Sequence, residues 1–305
     1  MSRLLDKRLL FVTGKGGVGK STITAALALK AARDGKRTLV CEVRSHERIS
    51  ALLGQPPVGP EIKRLEPNLD AVDIETSAAF REYALMKLKF QAVYKVVFEN
   101  RLMKYALRAI PSIAEIVTLG KIVYHLGEKQ NGRNRWDLIL VDAPATGHAL
   151  TLLRTPQTIL DSVPAGAMAD EMQHILDVFR DPKESGVVLV TLPEEMPVNE
   201  TIELDRELAR TVPLERSAVV LNGDLPFRFA PLELEAMQAR RNDPALRPGI
   251  EAAEAYQRRS DLAAKYVEKL RAEVKQPLAR VPFRFVRTFD RAVVESISYD
   301  LAVVA

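Results

Sequence analysis

An apolar run, Arg8–Thr13, leads directly into Gly14-Lys15-Gly16-Gly17-Val18-Gly19-Lys20-Ser21-Thr22. The residues that follow read as a helix from about Lys20 to Arg33, closed by Gly35. The spacing is G-x-x-x-x-G-K-[ST] in the strand-before, helix-after setting that the pattern requires. Glycines let successive backbone N–H groups converge on phosphate oxygens, and the helix N-terminus adds partial positive charge. Lys20 is expected to reach the β- and γ-phosphates, the Ser21 hydroxyl to ligate Mg²⁺, and Thr22 to contact an inner phosphate. The chain is therefore expected to bind ATP with Mg²⁺.

The rest of the chain supplies the fold that such a loop needs. Short apolar runs at Arg37–Val43, Asp70–Glu75, Trp136–Asp142, Gly186–Leu192, Ser217–Asn222 and Leu278–Pro282 alternate with helical patterns. That alternation predicts an α/β fold with a mostly parallel sheet flanked by helices. Two helical regions interrupt the rhythm, a long one at about 77–130 and a shorter one at about 156–180, and Pro231–Lys275 reads as charged helix broken around 241–249. We expect one nucleotide-binding domain over residues 1–305 with an inserted helical subdomain.

Composition narrows the function. A net charge of +4 in 305 residues gives no basic face for nucleic acid. No run is long and uncharged enough to span a membrane, and the N-terminus shows no cleavable leader, so a cytoplasmic protein without stable membrane insertion is expected. The single cysteine, Cys41, excludes an intrachain disulfide. It also excludes a four-thiolate cluster shared by two chains. The four histidines, His46, His125, His148 and His174, show no metal-ligand spacing.

A second motif supports the first. The run Leu138–Val141 ends in Asp142, followed by Ala143-Pro144-Ala145-Thr146-Gly147-His148. A carboxylate at that strand end is expected beside the Mg²⁺ shell. Gly147 permits close backbone approach to a γ-phosphate, so the loop is expected to tell ATP from ADP.

Together GKGGVGKST and DAPATGHALTLLRTP resemble the loop and switch segment of the arsenite-pump and tail-anchored-protein-targeting ATPases, the ArsA-like family. Pro111-Ser112-Ile113-Ala114-Glu115 and Thr191-Leu192-Pro193-Glu194 are similar to further stretches of that family. Lys15 matches the deviant Walker A subgroup, in which this lysine crosses a dimer interface to the partner's nucleotide. The resemblance implies a dimer, either of identical chains or with a paralogue. It also implies that Asn222 and the Pro282-Phe283 loop hold the adenine base.

The departures from the family are specific. Members carry D-P-A-H after the second strand, with the Asp positioning water, whereas ungapped counting puts Arg44, Ser45, His46 and Glu47 there. Glu42, two residues earlier on the same side of the strand, is the candidate catalytic carboxylate beside Lys15, Lys20 and Asp142, with Glu47 as an alternative. Loss of a positioned carboxylate costs about two to four orders of magnitude in hydrolysis and leaves binding intact. The arsenite branch's cysteines and the targeting branch's zinc pair have no counterpart.

Two functions therefore compete. One is an ATP hydrolase acting as a dimeric conformational switch, with a hydrophobic or membrane-protein client in the helical insertions that carry Met86, Met103, Met168 and Met172. The other is a nucleotide-binding regulatory or scaffold subunit with little hydrolysis of its own, paired with an active paralogue. Methionines at helical spacing are more often core than groove.

Overall fold

β1 (Leu9–Gly14) is buried along its whole length, with Leu9 and Phe11 turned to one face of a sheet and Leu10 and Val12 to the other. Period-two alternation makes both faces apolar, so both must be covered. The computed structural model, which describes residues 4–43, 48–74, 112–226 and 229–303, shows how this is done.

After β1 come α1 (Lys20–Arg33), β2 (Thr38–Glu42), the short α2 (Arg48–Leu52), β3 (Lys63–Glu66) and β4 (Leu69–Asp73). The chain continues through α3 (Ile113–Gly127), a small hairpin of β5 (Lys129–Gln130) and β6 (Arg133–Asn134), and β7 (Leu138–Asp142). Next are α4 (Thr146–Ser162), α5 (Ala167–Arg180), β8 (Ser185–Thr191), α6 (Glu195–Thr211) and β9 (Arg216–Asp224). The last elements are α7 (Pro231–Ala239), α8 (Arg247–Glu273), β10 (Leu278–Pro282) and α9 (Arg291–Asp300).

The main sheet has eight strands in the order β10-β9-β8-β1-β7-β2-β4-β3, all parallel except the edge strand β3. α1, α2 and α9 pack on the face that carries Leu10, Val12, Val40 and Leu140. Helices α3, α4, α5, α6 and α8 cover the face that carries Leu9, Phe11, Cys41 and Val141. β7 enters between β1 and β2, which makes Asp142 the register partner of Val12 on one side and Glu42 on the other. The phosphate-binding loop and both strand-end carboxylates therefore meet at the C-terminal edge of the central strands, the usual binding crevice of an open α/β sheet.

Every strand expected from the sequence is present, with ends moved by no more than a few residues. β3 is the strand that the pattern hides, because its KRLE sequence has only Leu65 buried on an exposed edge. The region at 156–180 forms two helices, since Gly166 takes φ 101° ahead of α5. Pro156 lies inside α4, which begins at Thr146. Within 77–130, residues 113–127 are helical and 129–130 belong to the hairpin, while 77–111 lie outside the described residues. No helix among the described residues is long and apolar enough to cross a membrane.

Phe179 on α5 is fully buried and meets the Phe11 ring edge-on, with centroids 5.7 Å apart. Phe179→Ala should cost about 3–5 kcal/mol of folding stability through lost burial and the cavity left behind. Urea unfolding monitored by circular dichroism measures this directly.

Candidate functional site

The loop after β1 is shaped by its glycines at two close approaches. A Cβ on Gly14 would run into the Val190 carbonyl oxygen of neighbouring β8. Gly19 takes φ 91°, and a Cβ there would strike the Asn222 amide. α1 begins at the next residue, Lys20, so the loop ends directly on a helix N-terminus.

The lysine side chain turns back over this loop. Lys20 Nζ donates to the Lys15 carbonyl at 3.1 Å. Burial pushes its ammonium below the usual lysine range, against the pull of Asp142 and with the push of Arg48. Ser21 Oγ donates to Asp142 Oδ2 at 2.7 Å. Thr24 Oγ1 lies 3.5 Å from Asp142 Oδ1 and also donates to the Lys20 carbonyl at 3.0 Å. Burial raises the Asp142 carboxyl above the ordinary carboxylate range, opposed by the Ser21 hydrogen bond, Lys20, Arg48 and Thr24. A buried carboxylate bracketed by a hydroxyl and an ammonium is a hard-oxygen site that gains when further positive charge arrives.

The segment after Asp142 is tied to β1. Ala143 N–H donates to the Val12 carbonyl at 3.0 Å, and the Thr13 hydroxyl donates to the Pro144 carbonyl at 3.0 Å. Gly147 lies in the first turn of α4 with open space around its Cα. These two bonds tie the segment that leads into α4 to the end of β1, where the loop begins.

Other expected residues occupy distinct places. Lys15 points away from its own loop and forms an ion pair with Glu200 on α6, Nζ to Oε1 2.5 Å. Glu42 is wholly buried, and its Oε1 accepts the Ile49 N–H at 3.0 Å, which fixes the first turn of α2. Asn222 Nδ2 donates to the Val18 carbonyl at 2.9 Å, bracing the loop from β9. Phe283 lines a cavity of about 500 Å³ with Leu192, Leu225, Leu262 and Tyr266.

A separate cavity of about 430 Å³ is bounded by Gly17, Gly19 and Lys20–Thr22 of the loop region and by Arg48, Leu52 and Phe289. Arg44–Glu47 lie outside the described residues.

Sequence reasoning did not single out Thr24, Arg48, Glu200 or Phe289. Thr24 sits one helical turn after Lys20, a spacing that could have flagged it. The others join the site only through tertiary packing.

Cys41 and the histidines stand apart from this chemistry. The Cys41 thiol is fully buried and pushed up to about 12 by that burial, so it is inert. His125 Nδ1 is 2.8 Å from Glu128 Oε2. Among the described residues no three His, Cys, Asp or Glu side chains are grouped to hold a metal.

A family model described as anion-transporting ATPase matches residues 7–165, the stretch that contains both the loop and the Asp142 segment. The chain belongs to this ATPase family. The ATPase BagA of Mycobacterium tuberculosis H37Rv is 31% identical over 296 residues, covering 91% of this chain and 85% of that protein. The arsenical pump-driving ATPase of Escherichia coli is 27% identical, covering 71% of this chain and 39% of its own length. The ATPase GET3 of Kluyveromyces lactis is 25% identical, covering 70% and 71%. Similarity to BagA thus extends well beyond the two loops, and Lys20, Ser21 and Asp142 lie inside the stretch that the family model matches.

Proposed function

We propose that this ATPase-family chain is a Mg-ATP-driven dimeric switch in which Lys15 serves the partner's nucleotide. The nucleotide part of this reading is carried by the contact set of Lys20, Ser21 and Asp142 at the phosphate-binding loop, and the dimeric part by the family resemblance of Lys15, whose ammonium is turned to Glu200. Loop amides and Lys20 take the β- and γ-phosphates, and Thr22 an inner phosphate. Ser21 and Asp142 would hold Mg²⁺, which would neutralise phosphate charge; two protein oxygens suit an ion that takes its remaining ligands from phosphates and water. Asn222 braces the loop against β9 while the base lies toward the Pro282–Phe289 segment.

Lys15 gives the switch its direction. While it is paired with Glu200 it is held in cis. Closure of two chains over ATP exchanges the Glu200 carboxylate for the partner's phosphates, and hydrolysis returns it. The loop from Asp142 to Gly147 reports the γ-phosphate to α4 through its ties to β1. Glu42 acts by fixing α2 against the site.

The test is sedimentation of the purified chain with Mg-ATP and with Mg-ADP. The proposal expects dimers with ATP and monomers with ADP; monomers in both would overturn it. Glu200→Gln should strengthen ATP-dependent dimerisation by about two- to thirtyfold, because each dimer gives up two half-exposed ion pairs on closing. Sedimentation at several protein concentrations reads that shift.

A hydrophobic client draws no support from the methionines of α5: Met172 is buried in the core and Met168 packs against it. Met86 and Met103 lie outside the described residues. Retention of a transmembrane peptide by the purified chain would favour a client.

The regulatory reading rests on Arg44 standing where the family has its water-positioning Asp. It predicts an ATP complex that persists for hours and turns over only when a paralogue is added.

A further inference from the structure

We infer that Arg48 is a nucleotide ligand supplied in cis, a guanidinium that reads the γ-phosphate. The inference rests on the ATP reading of the loop and adds a residue that the sequence motifs do not contain.

The geometry has three parts. First, Arg48 shares one cavity with Gly17, Lys20, Ser21 and Thr22, so its side chain and the phosphate-binding loop bound the same space. Second, its backbone is fixed. It is the first residue of α2, the next N–H is held by the Glu42 carboxylate at 3.0 Å, and Ile49 and Ser50 are buried. The anchored backbone sets where the guanidinium can reach, and binding a ligand then costs only the side chain's own rotamer freedom. Third, the Arg48 charge is felt by both Lys20 and Asp142, the two groups that bracket the β/γ end of the nucleotide.

Chemistry points to phosphate. Arg48 brings a second cation beside Lys20, and two like charges facing one cavity repel until an anion enters. A triphosphate supplies that anion, and a guanidinium pairs with phosphate oxygens through parallel N–H donors. ATP brings a γ-phosphate charge that ADP lacks, so a cation facing this cavity should favour ATP over ADP.

The experiment is calorimetric titration of the full chain with Mg-ATPγS and with Mg-ADP, for wild type, Arg48→Gln and Arg48→Lys. Arg48→Gln is expected to weaken Mg-ATPγS by about ten- to a hundredfold, the worth of hydrogen bonds to a charged group. Mg-ADP should change by less than about threefold on the same scale. Arg48→Lys should restore part of the ATPγS affinity, because the charge remains and the paired donors do not. Equal weakening of both nucleotides, or no weakening of either, would overturn the role of Arg48 while leaving the ATP reading intact. A wild-type chain that binds neither nucleotide would overturn both.

Discussion

Lys20→Ala should lower ATP affinity by about two to three orders of magnitude, the range for truncating one partner of a desolvated charge pair. The effect has two sources. The phosphates lose an ammonium that the fold already holds over the loop, 3.1 Å from the Lys15 carbonyl. Asp142 is also left buried beside the phosphates with less compensating charge, which adds repulsion to the lost attraction. The fold should survive, because Lys20 is only half-buried at the start of α1. Equilibrium dialysis with ATP measures the loss. The same change should abolish the rise in melting temperature that ATP gives the wild-type chain, since a ligand stabilises only what it binds.

Lys15→Ala should behave in the opposite way. Hydrolysis is expected to fall by about a hundred- to a thousandfold, the usual consequence of removing one preorganised charge from a transition state. ATP affinity should change little. The reason lies in which atoms of Lys15 serve which site. Its carbonyl, which holds Lys20, is retained in alanine. Its ammonium is engaged with Glu200 and contributes nothing to its own loop in this arrangement. Single-turnover hydrolysis beside a binding titration separates the two effects.

The central architecture was legible because it is written in local pattern. β1, β7 and β8 are continuous apolar runs, and the glycine spacing of the loop admits few alternatives. Asp142 could be placed beside Ser21 from the sequence because an apolar strand ending in Asp has one natural partner in such a fold. What the sequence concealed depends on tertiary packing. Glu200 lies on α6, far along the chain from Lys15, and no periodicity links them. Arg48 and Phe289 reach the same cavity from α2 and from the segment after β10. Glu42 illustrates the limit of a face argument: period two correctly sets it beside Asp142, yet says nothing of the Ile49 N–H that its carboxylate accepts. β3 was invisible because an edge strand needs only one buried residue, and Leu65 alone makes no pattern.

Mixing two inactive variants tests most directly whether Lys15 acts on the partner's nucleotide, as proposed. Lys15→Ala keeps Lys20, Ser21 and Asp142, the residues proposed to hold phosphate and Mg²⁺, but lacks the lysine to offer. Asp142→Asn keeps the lysine but has a defective site of its own. In a mixed dimer, Lys15 of the Asp142→Asn chain meets the intact site of the Lys15→Ala chain. An equal mixture should therefore recover about a quarter of wild-type turnover, since random pairing makes half of the dimers mixed and each mixed dimer holds one working site of two. A mixture as inactive as its components would contradict the claim and return Lys15 to its own chain.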